Sequence, residues 1–403
     1  MKCRVCDSKN LSSVIDLGMQ PWCNNFLTKE HLGKEPYYPL NLVYCNDCNT
    51  SQLDYTVKKE IMFSDHTYLS GITTSLSNHF KFISNEVTNF FNKQNITHNN
   101  NILDIGSNDG TQLIHYKKLG WNVLGVESSK KTAEIAIKNE IPTINKFFNL
   151  ALAKEINSKF TVINAAGIFF HLEELHSVSD GIKYLLDKNG VFVVQFLYMK
   201  SIGENNAFDQ IYHEHLLYYT LNTLSKLLSF HNLEIFDAYL TEIHGGQMIA
   251  YVSHPGAYEK TLRLEKLLAE EIKANCNSIS FYREFNKRIQ IMKKENREFL
   301  ENEKSIGNLV YGMGAPVKGN TLLNFFDIGV DLIPILLEKN VLRKNLFSPG
   351  KHIPIMIEEE FKSIPNTYYV LAWNFKREIL ANNKALIDKG VNFYFPINPK
   401  EIN

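Results

Sequence analysis

Residues 101–113, NILDIGSNDGTQL, constrain this chain more than any other stretch, because they read as a buried strand running into a glycine loop that opens a helix. Ile102, Leu103 and Ile105 supply the apolar strand, Gly106 and Gly110 let backbone approach a ligand closely, and 111–119 can wind as the following helix. A second strand over 123–127 ends in Glu127, a carboxylate about 20 residues beyond the loop and placed to accept hydrogen bonds from ribose hydroxyls. Such an arrangement holds a nucleotide-like ligand.

The loop argues against a dinucleotide. Pyrophosphate calls for G-x-G-x-x-G and a helix N-terminus free of negative charge, whereas Asp104 and Asp109 bracket a G-x-x-x-G here. Two carboxylates repel phosphate and suit a ligand with a positive centre, such as the sulfonium of S-adenosylmethionine (SAM). ILDIGSNDGT followed by VLGVE resembles the first two motifs of class I SAM-dependent methyltransferases, which makes Asp104, Gly106, Asn108, Gly110 and Glu127 the candidate cofactor-binding residues. Any doubly wound α/β protein with a tight first turn can carry a similar loop, so the motif needs its context.

At 403 residues the chain exceeds one ordinary core and suggests two or three domains. Lys plus Arg equals Asp plus Glu at 43 each, so no global field draws in nucleic acid or an anionic membrane. The stretch MKCRVCDSKN has no apolar signal core, and no later run approaches the roughly 18 apolar residues of a membrane span. A soluble, cytoplasmic protein without nucleic-acid or membrane partners is expected, and a monomer is allowed.

Five of the six cysteines fall in the first 48 residues, four of them as Cys3-x-x-Cys6 and Cys45-x-x-Cys48. Each knuckle presents two thiolates at the spacing of a Zn–S4 site, and four thiolates leave no open coordination position, so a structural zinc is expected. Disulfides fit a reducing compartment less well. Cys23 and Cys276 read as ordinary buried or free thiols.

Residues 1–66 therefore read as a metal-stapled module with short β segments over 13–17 and 40–44. From 67 to 253 helices over 76–91, 131–139 and 177–186 alternate with strands over 101–105, 123–127, 161–165 and 191–196, which predicts a parallel sheet with right-handed crossovers. Residues 254–304 read as one or two connecting helices. Residues 305–403 read as a second α/β lobe, with a strand-loop-helix over 309–325 around Gly312-Met-Gly314 and strands over 331–337 and 368–373. The expected fold class is α/β: a class I SAM methyltransferase (Rossmann-like) sheet, an N-terminal zinc-binding module and a C-terminal Rossmann-like lobe.

The segment FDQIYHEHLLYYTL, 208–221, sets Tyr212, His213, Glu214 and His215 in a row. Histidine has the right ordinary pKa for a base near neutrality, and an adjacent carboxylate can orient it. A satisfied core histidine or a second metal site are the bland alternatives, and the clustering of four such side chains weighs against them.

Taken in order, the cysteine knuckles, ILDIGSNDGT, YHEHLLYYTL, HGG at 244–246, YGMGAPVKGNTLLN at 311–324, and PGKHIPI with LAWNF resemble the bacterial sugar C-methyltransferases. These act on nucleotide-linked keto-deoxysugars in pathways to antibiotic and surface-polysaccharide sugars. The resemblance implies that His215 is the base taking a proton from the carbon beside the keto group. It implies too that Tyr212, His213 and Glu214 line the same pocket, with Tyr68 in HTYLSG and His171 in FFHLEE as further active-site residues. The types suit the chemistry: a carbon must lose its acidic proton before it can accept a methyl group, which needs a base and a donor to the enolate oxygen.

Three positions depart from the pattern: Gly167 in AAGIFFH, Gln195 in VFVVQFLY and Glu338-Lys339-Asn340 in the second lobe. There Lys318 and Asn320 are the candidate substrate contacts, although a glycine loop opening a helix serves phosphate binding and plain architecture alike. The alternative functions are an O- or N-methyltransferase of a sugar nucleotide, an NAD-dependent sugar-nucleotide oxidoreductase, and a zinc-ribbon interaction module on a degenerate nucleotide fold. Asp7 and Asp47 opposing Lys2, Arg4 and Lys9 weaken the last of these.

Overall fold

The computed structural model describes all residues except 64–70, 72–73, 95–97, 242–245 and 400–403. Strands β1 (Leu11–Pro21), β2 (Tyr37–Cys45) and β3 (Ser51–Leu53) pair antiparallel in chain order. A sheet of this size buries too little to stand alone. Its inward residues Ile15, Leu17, Leu40, Leu42 and Leu53 belong to the same buried core as Leu103 and Phe196 further along the chain.

After the helix Thr74–Gln94 come β4 (Asn101–Ile105), β5 (Asn122–Val126), β6 (Thr143–Ile144), β7 (Phe160–Ala166) and β8 (Leu186–Leu197). They run parallel in the order β6-β5-β4-β7-β8. Both faces of β4 and β7 are covered, which is why these strands read as nearly continuous apolar runs rather than alternating ones. The chain then leaves this sheet: β9 (Leu217–Tyr218) pairs antiparallel with β3 and becomes the fourth strand of the small sheet. Strands β10 (Glu234–Thr241) and β11 (Gln247–Ser253) return to the large sheet, where β11 lies antiparallel between β8 and β10. The expected all-parallel sheet is thus corrected at one edge. The few residues separating β10 from β11 cannot make the crossover of a dozen or so residues that a parallel pair needs, so the two form a hairpin.

Helices Leu262–Lys273 and Ile279–Ser305 occupy the connecting region. Beyond them β12 (Val310–Met313), β13 (Leu336–Glu338), β14 (Ile355–Ile357), β15 (Thr367–Val370) and β16 (Asn392–Tyr394) form a parallel sheet in the order β14-β13-β12-β15-β16. Two sequence expectations shorten here. The strand expected over 331–337 begins only at Leu336, because Pro334 has no N–H to give a ladder. The one expected over 368–373 stops at Val370, and Trp373 opens a 3-10 turn. The small N-terminal sheet also reaches this lobe: Leu27 N donates to Phe347 O at 3.0 Å, and Asn320 Nδ2 to Cys23 O at 2.7 Å.

Candidate active site

The glycine loop after β4 has the backbone its sequence demanded. Gly106 (φ 74°), Asn108 (φ 52°) and Gly110 (φ 80°) are all left-handed. A Cβ on Gly106 would come within 2.7 Å of Ile168 Cγ2, so only glycine keeps this cradle open. Glu127, one residue past β5, accepts from Asn108 N at 2.9 Å and from Ser129 N at 2.7 Å. It thereby ties the loop to the tip of the next strand. Asp104 is buried, and its Oδ1 has no hydrogen-bond partner among the described residues. Burial, with Glu127 close by, pushes its carboxyl well above the usual range.

The expected pair of ligand-facing charges is absent: burial favours the protonated form of Asp104, and Asp109 is taken up by the chain itself. Asp109 does not present its charge to a ligand, because its Oδ1 accepts from Thr111 N at 3.1 Å and from Thr111 Oγ1 at 2.6 Å, while its Oδ2 accepts from Gly71 N at 2.7 Å. It starts the helix and anchors the entering chain. The cradle, the unpartnered buried carboxylate and the strand-end glutamate fit a nucleoside ligand without relying on that charge.

The segment 212–215 is suspended between three elements. Leu216 N and Leu217 N donate to Phe170 O at 2.8 and 3.2 Å, Leu53 N donates to Leu216 O at 3.0 Å, and Met199 N donates to Tyr219 O at 2.8 Å. His215 is buried, and its Nδ1 lies 2.7 Å from Gln210 O. A carbonyl only accepts, so Nδ1 carries the hydrogen and Nε2 is the basic nitrogen of the neutral ring. The Tyr212 ring lies 3.8 Å from the His215 ring, and the His171 ring 5.2 Å from it. His171 Nδ1 likewise donates to a carbonyl of the segment, that of Glu214.

The other two members of the row contact the N-terminal module. His213 packs edge-on against Tyr38 of β2 at 5.7 Å, and burial holds its pKa down to about 4. Glu214 accepts from Trp22 Nε1 at 2.7 Å and Asn24 Nδ2 at 3.2 Å, both from the N-terminal module. Burial pushes its carboxyl up to about 7 against the pull of those donors. Tyr68 lies outside the described residues, as do His244 and Gly245. Sequence reasoning missed Trp22 and Asn24, which carry no motif, and Gln210, whose contact is made by its backbone carbonyl rather than its side chain.

Glu214 gives the fold a pH-dependent stability. Its folded pKa stands above its ordinary 4.5, so the stability it contributes below pH 4.5 is lost as pH rises to about 7. Gln in its place keeps an acceptor for Trp22 and Asn24 without the charge. Glu214→Gln is therefore expected to gain about 3 kcal/mol on the wild type between pH 4.5 and pH 8, read from denaturant unfolding at each pH. Parallel pH curves for the two proteins would refute the buried, uncharged carboxyl.

The departures have structural places. Gly167 is left-handed (φ 76°) and donates to Gln195 O at 3.0 Å. Gln195 Oε1 accepts from His79 Nε2 at 2.9 Å, and its amide donates to Gln247. In the second lobe Glu338 accepts from Ala315 N at 2.7 Å, repeating the loop-to-strand tie that Glu127 makes in the first. Of the two candidate substrate contacts, Asn320 is hydrogen-bonded within the protein, whereas the buried Lys318 Nζ has an ionic and a ring neighbour but no hydrogen-bond partner among the described residues. Asn320 holds the Cys23 carbonyl, and Lys318 Nζ lies 3.5 Å from Asp209 Oδ2 and 4.0 Å over the Trp373 ring.

The four knuckle cysteines converge with all sulfurs within 4.8 Å of one another. Cys3 and Cys48 are 3.5 Å apart, Cys6 and Cys45 3.6 Å, close to the about 3.8 Å edge of a tetrahedron with Zn–S bonds of 2.3 Å. The residue after each knuckle, Asp7 (φ 58°) or Asn49 (φ 66°), is left-handed. Asp7 N to Cys3 O at 3.0 Å and Asn49 N to Cys45 O at 2.9 Å close the two turns alike. Four sulfur donors fit a structural zinc.

The large sheet, in the order β6-β5-β4-β7-β8-β11-β10 with one antiparallel strand, and the glycine cradle define a class I SAM-dependent methyltransferase. Residues 3–63 match a zinc binding domain family, 75–238 a methyltransferase domain family, and 242–398 the C-methyltransferase C-terminal domain family. Together these three family models span the chain from residue 3 to residue 398, and SAM and zinc are its cofactors. It is 29% identical over 403 residues to the C-methyltransferase NovU of Streptomyces niveus, covering 98% of this chain and 95% of that protein. Among solved structures, a SAM-dependent methyltransferase of Clostridium acetobutylicum is 14% identical, covering 44% of this chain and 92% of that one at a TM-score of 0.37. Magnesium protoporphyrin IX methyltransferase of Synechocystis, with bound SAM, is 12% identical and covers 49% of this chain and 88% of that one, at a TM-score of 0.34. No helix of the described residues is long and apolar enough to cross a membrane.

Proposed function

We propose that the enzyme methylates a carbon beside the keto group of a nucleotide-diphosphate-linked deoxysugar, with His215 removing the acidic proton. The observation that carries this reading is the anchoring of His215, whose Nδ1 is bound to the Gln210 carbonyl while the buried ring lies beside those of Tyr212, Phe170 and His171. A neutral imidazole with its basic nitrogen fixed is the base a carbon acid requires. Burial and the nearby Glu214 push the Tyr212 phenol well above its ordinary value, so it stays protonated and can donate to the enolate oxygen. When bound, SAM supplies the electrophilic methyl group. Asp104, Gly106, Asn108, Gly110 and Glu127 would hold it. The identity to NovU, named a C-methyltransferase, supports carbon as the acceptor.

Incubation with SAM and a panel of nucleotide-linked keto-deoxysugars is expected to add one methylene by mass, with NMR placing the new methyl on carbon. A methyl on oxygen or nitrogen would replace this reading. Glu127→Ala is expected to weaken SAM binding about 10- to 100-fold by calorimetry, the loss of one or two hydrogen bonds to a carboxylate. Unchanged affinity would take Glu127 out of the cofactor site.

A further inference from the structure

The catalytic segment is held from the C-terminal lobe by a cluster that the chemistry itself does not use. Phe208–Gln210 is a single 3-10 turn, and the Asp209 side chain at its centre is fully buried. Asp209 Oδ2 accepts the indole N–H of Trp373 at 2.7 Å and faces Lys318 Nζ at 3.5 Å, and the ammonium sits 4.0 Å over the Trp373 ring. Beside it the Phe208 ring packs 5.0 Å from that of Phe326. Lys318 and Phe326 belong to the first helix of the C-terminal lobe, Val317–Phe326, and Trp373 to the turn after β15. The lobe therefore grips one turn of the methyltransferase domain from two sides.

The next residue in that turn is the one that matters to His215. Gln210 O accepts from His215 Nδ1 at 2.7 Å and from Tyr218 OH at 3.3 Å. The direction of this carbonyl decides which ring nitrogen carries the proton. A buried ion pair contributes little more to stability than apolar packing of the same volume, but it fixes direction. Asp209 is gripped one peptide away from the carbonyl that orients His215.

We propose that Asp209, Lys318 and Trp373 are positioning residues that aim the Gln210 carbonyl at His215 Nδ1, so that the base holds its working tautomer only when the C-terminal lobe is docked. The proposal rests on His215 being the base. It gives Lys318 a role within the protein rather than on phosphate, and it couples docking of the C-terminal lobe to proton abstraction.

The test uses zinc-loaded, full-length protein labelled with 15N-histidine and saturated with S-adenosylhomocysteine, read by long-range proton–nitrogen spectra. The His215 signal is the one missing in His215→Asn. The wild type is expected to show His215 as the Nδ1–H form. Trp373→Phe and Lys318→Met are expected to show a mixture with the Nε2–H form, with SAM affinity unchanged and turnover on the working keto sugar nucleotide down about 10- to 100-fold. A merely structural role would lower thermal stability without moving the tautomer. Should Lys318→Met fail to fold, Trp373→Phe, which removes one donor and keeps a ring beneath the ammonium, decides alone. An unchanged Nδ1–H signal in the folded variants, or an Nε2–H form in the wild type, overturns the proposal. Full turnover by His215→Asn would instead overturn the base assignment and leave the tautomer result standing.

Discussion

His215→Asn is expected to lower methyl transfer about 100- to 10,000-fold, the range over which a positioned general base accelerates proton transfer. Asn keeps a donor for the Gln210 carbonyl that now holds His215 Nδ1, so the loop should survive and only the basic nitrogen is lost. SAM affinity should stay at its wild-type value, because the glycine cradle and Glu127 belong to the β4 and β5 tips rather than to this segment. The decisive measurement separates proton removal from methyl transfer. With S-adenosylhomocysteine in place of SAM, the wild type should wash deuterium from solvent into the carbon beside the keto group and the variant should not. Exchange at the wild-type rate in His215→Asn would move the base to another residue, with His171, whose Nδ1 also donates to a carbonyl of the segment, the next to test.

Removing the zinc is expected to have an effect of similar size by a different route. Cys45→Ser, or treatment with a strong chelator, takes away a site whose apparent binding energy is about 10–16 kcal/mol in isolated zinc modules. The loss should not stay local. The sheet that the zinc staples receives β9 as its fourth strand, and Trp22 and Asn24 of the same module hold the Glu214 carboxyl. Turnover should therefore fall below detection, while SAM binding, which depends on the parallel strands of the large sheet, should persist within a few-fold. Metal analysis should read one zinc per chain in the wild type and none in the variant. Zinc-free protein that still turns over would show that the module is an appendage and that Glu214 finds its place without it.

The parts of the site differ in how far they could be read from the chain. The glycine loop was legible because its information is local: Gly106 and Gly110 adopt the left-handed backbone their type permits, within ten residues of the strand they follow. The knuckles were legible for the same reason, each being a short turn with two sulfurs at fixed spacing. The loop's charge was not. Asp109 looks like a ligand-facing acid in sequence and is a helix-starting residue in the fold, since Thr111 and Gly71 supply donors to both its oxygens. The row at 212–215 was recognised as a unit, yet in the fold His213 turns to β2 and Glu214 to the N-terminal module, while His215 and His171 come together from segments far apart in the chain. The antiparallel edge at β11 was missed because strand direction follows from the length of the connection before it rather than from the strand's own pattern.

By itself the sequence determined the α/β class, the cysteines of the zinc site, and a glycine loop whose left-handed backbone its residue types permit. Period, turn residues and knuckle spacing act over a few positions, so they survive in any reading of the chain. Only the tertiary structure decided that the zinc module and the C-terminal lobe both take hold of the segment 208–221. The partners that do so, Trp22 with Glu214 and Trp373 with Asp209, are separated by 192 and 164 positions. Contacts at such separations are set by how strands register and lobes dock, because burying a shared core fixes those geometries and no local pattern encodes them.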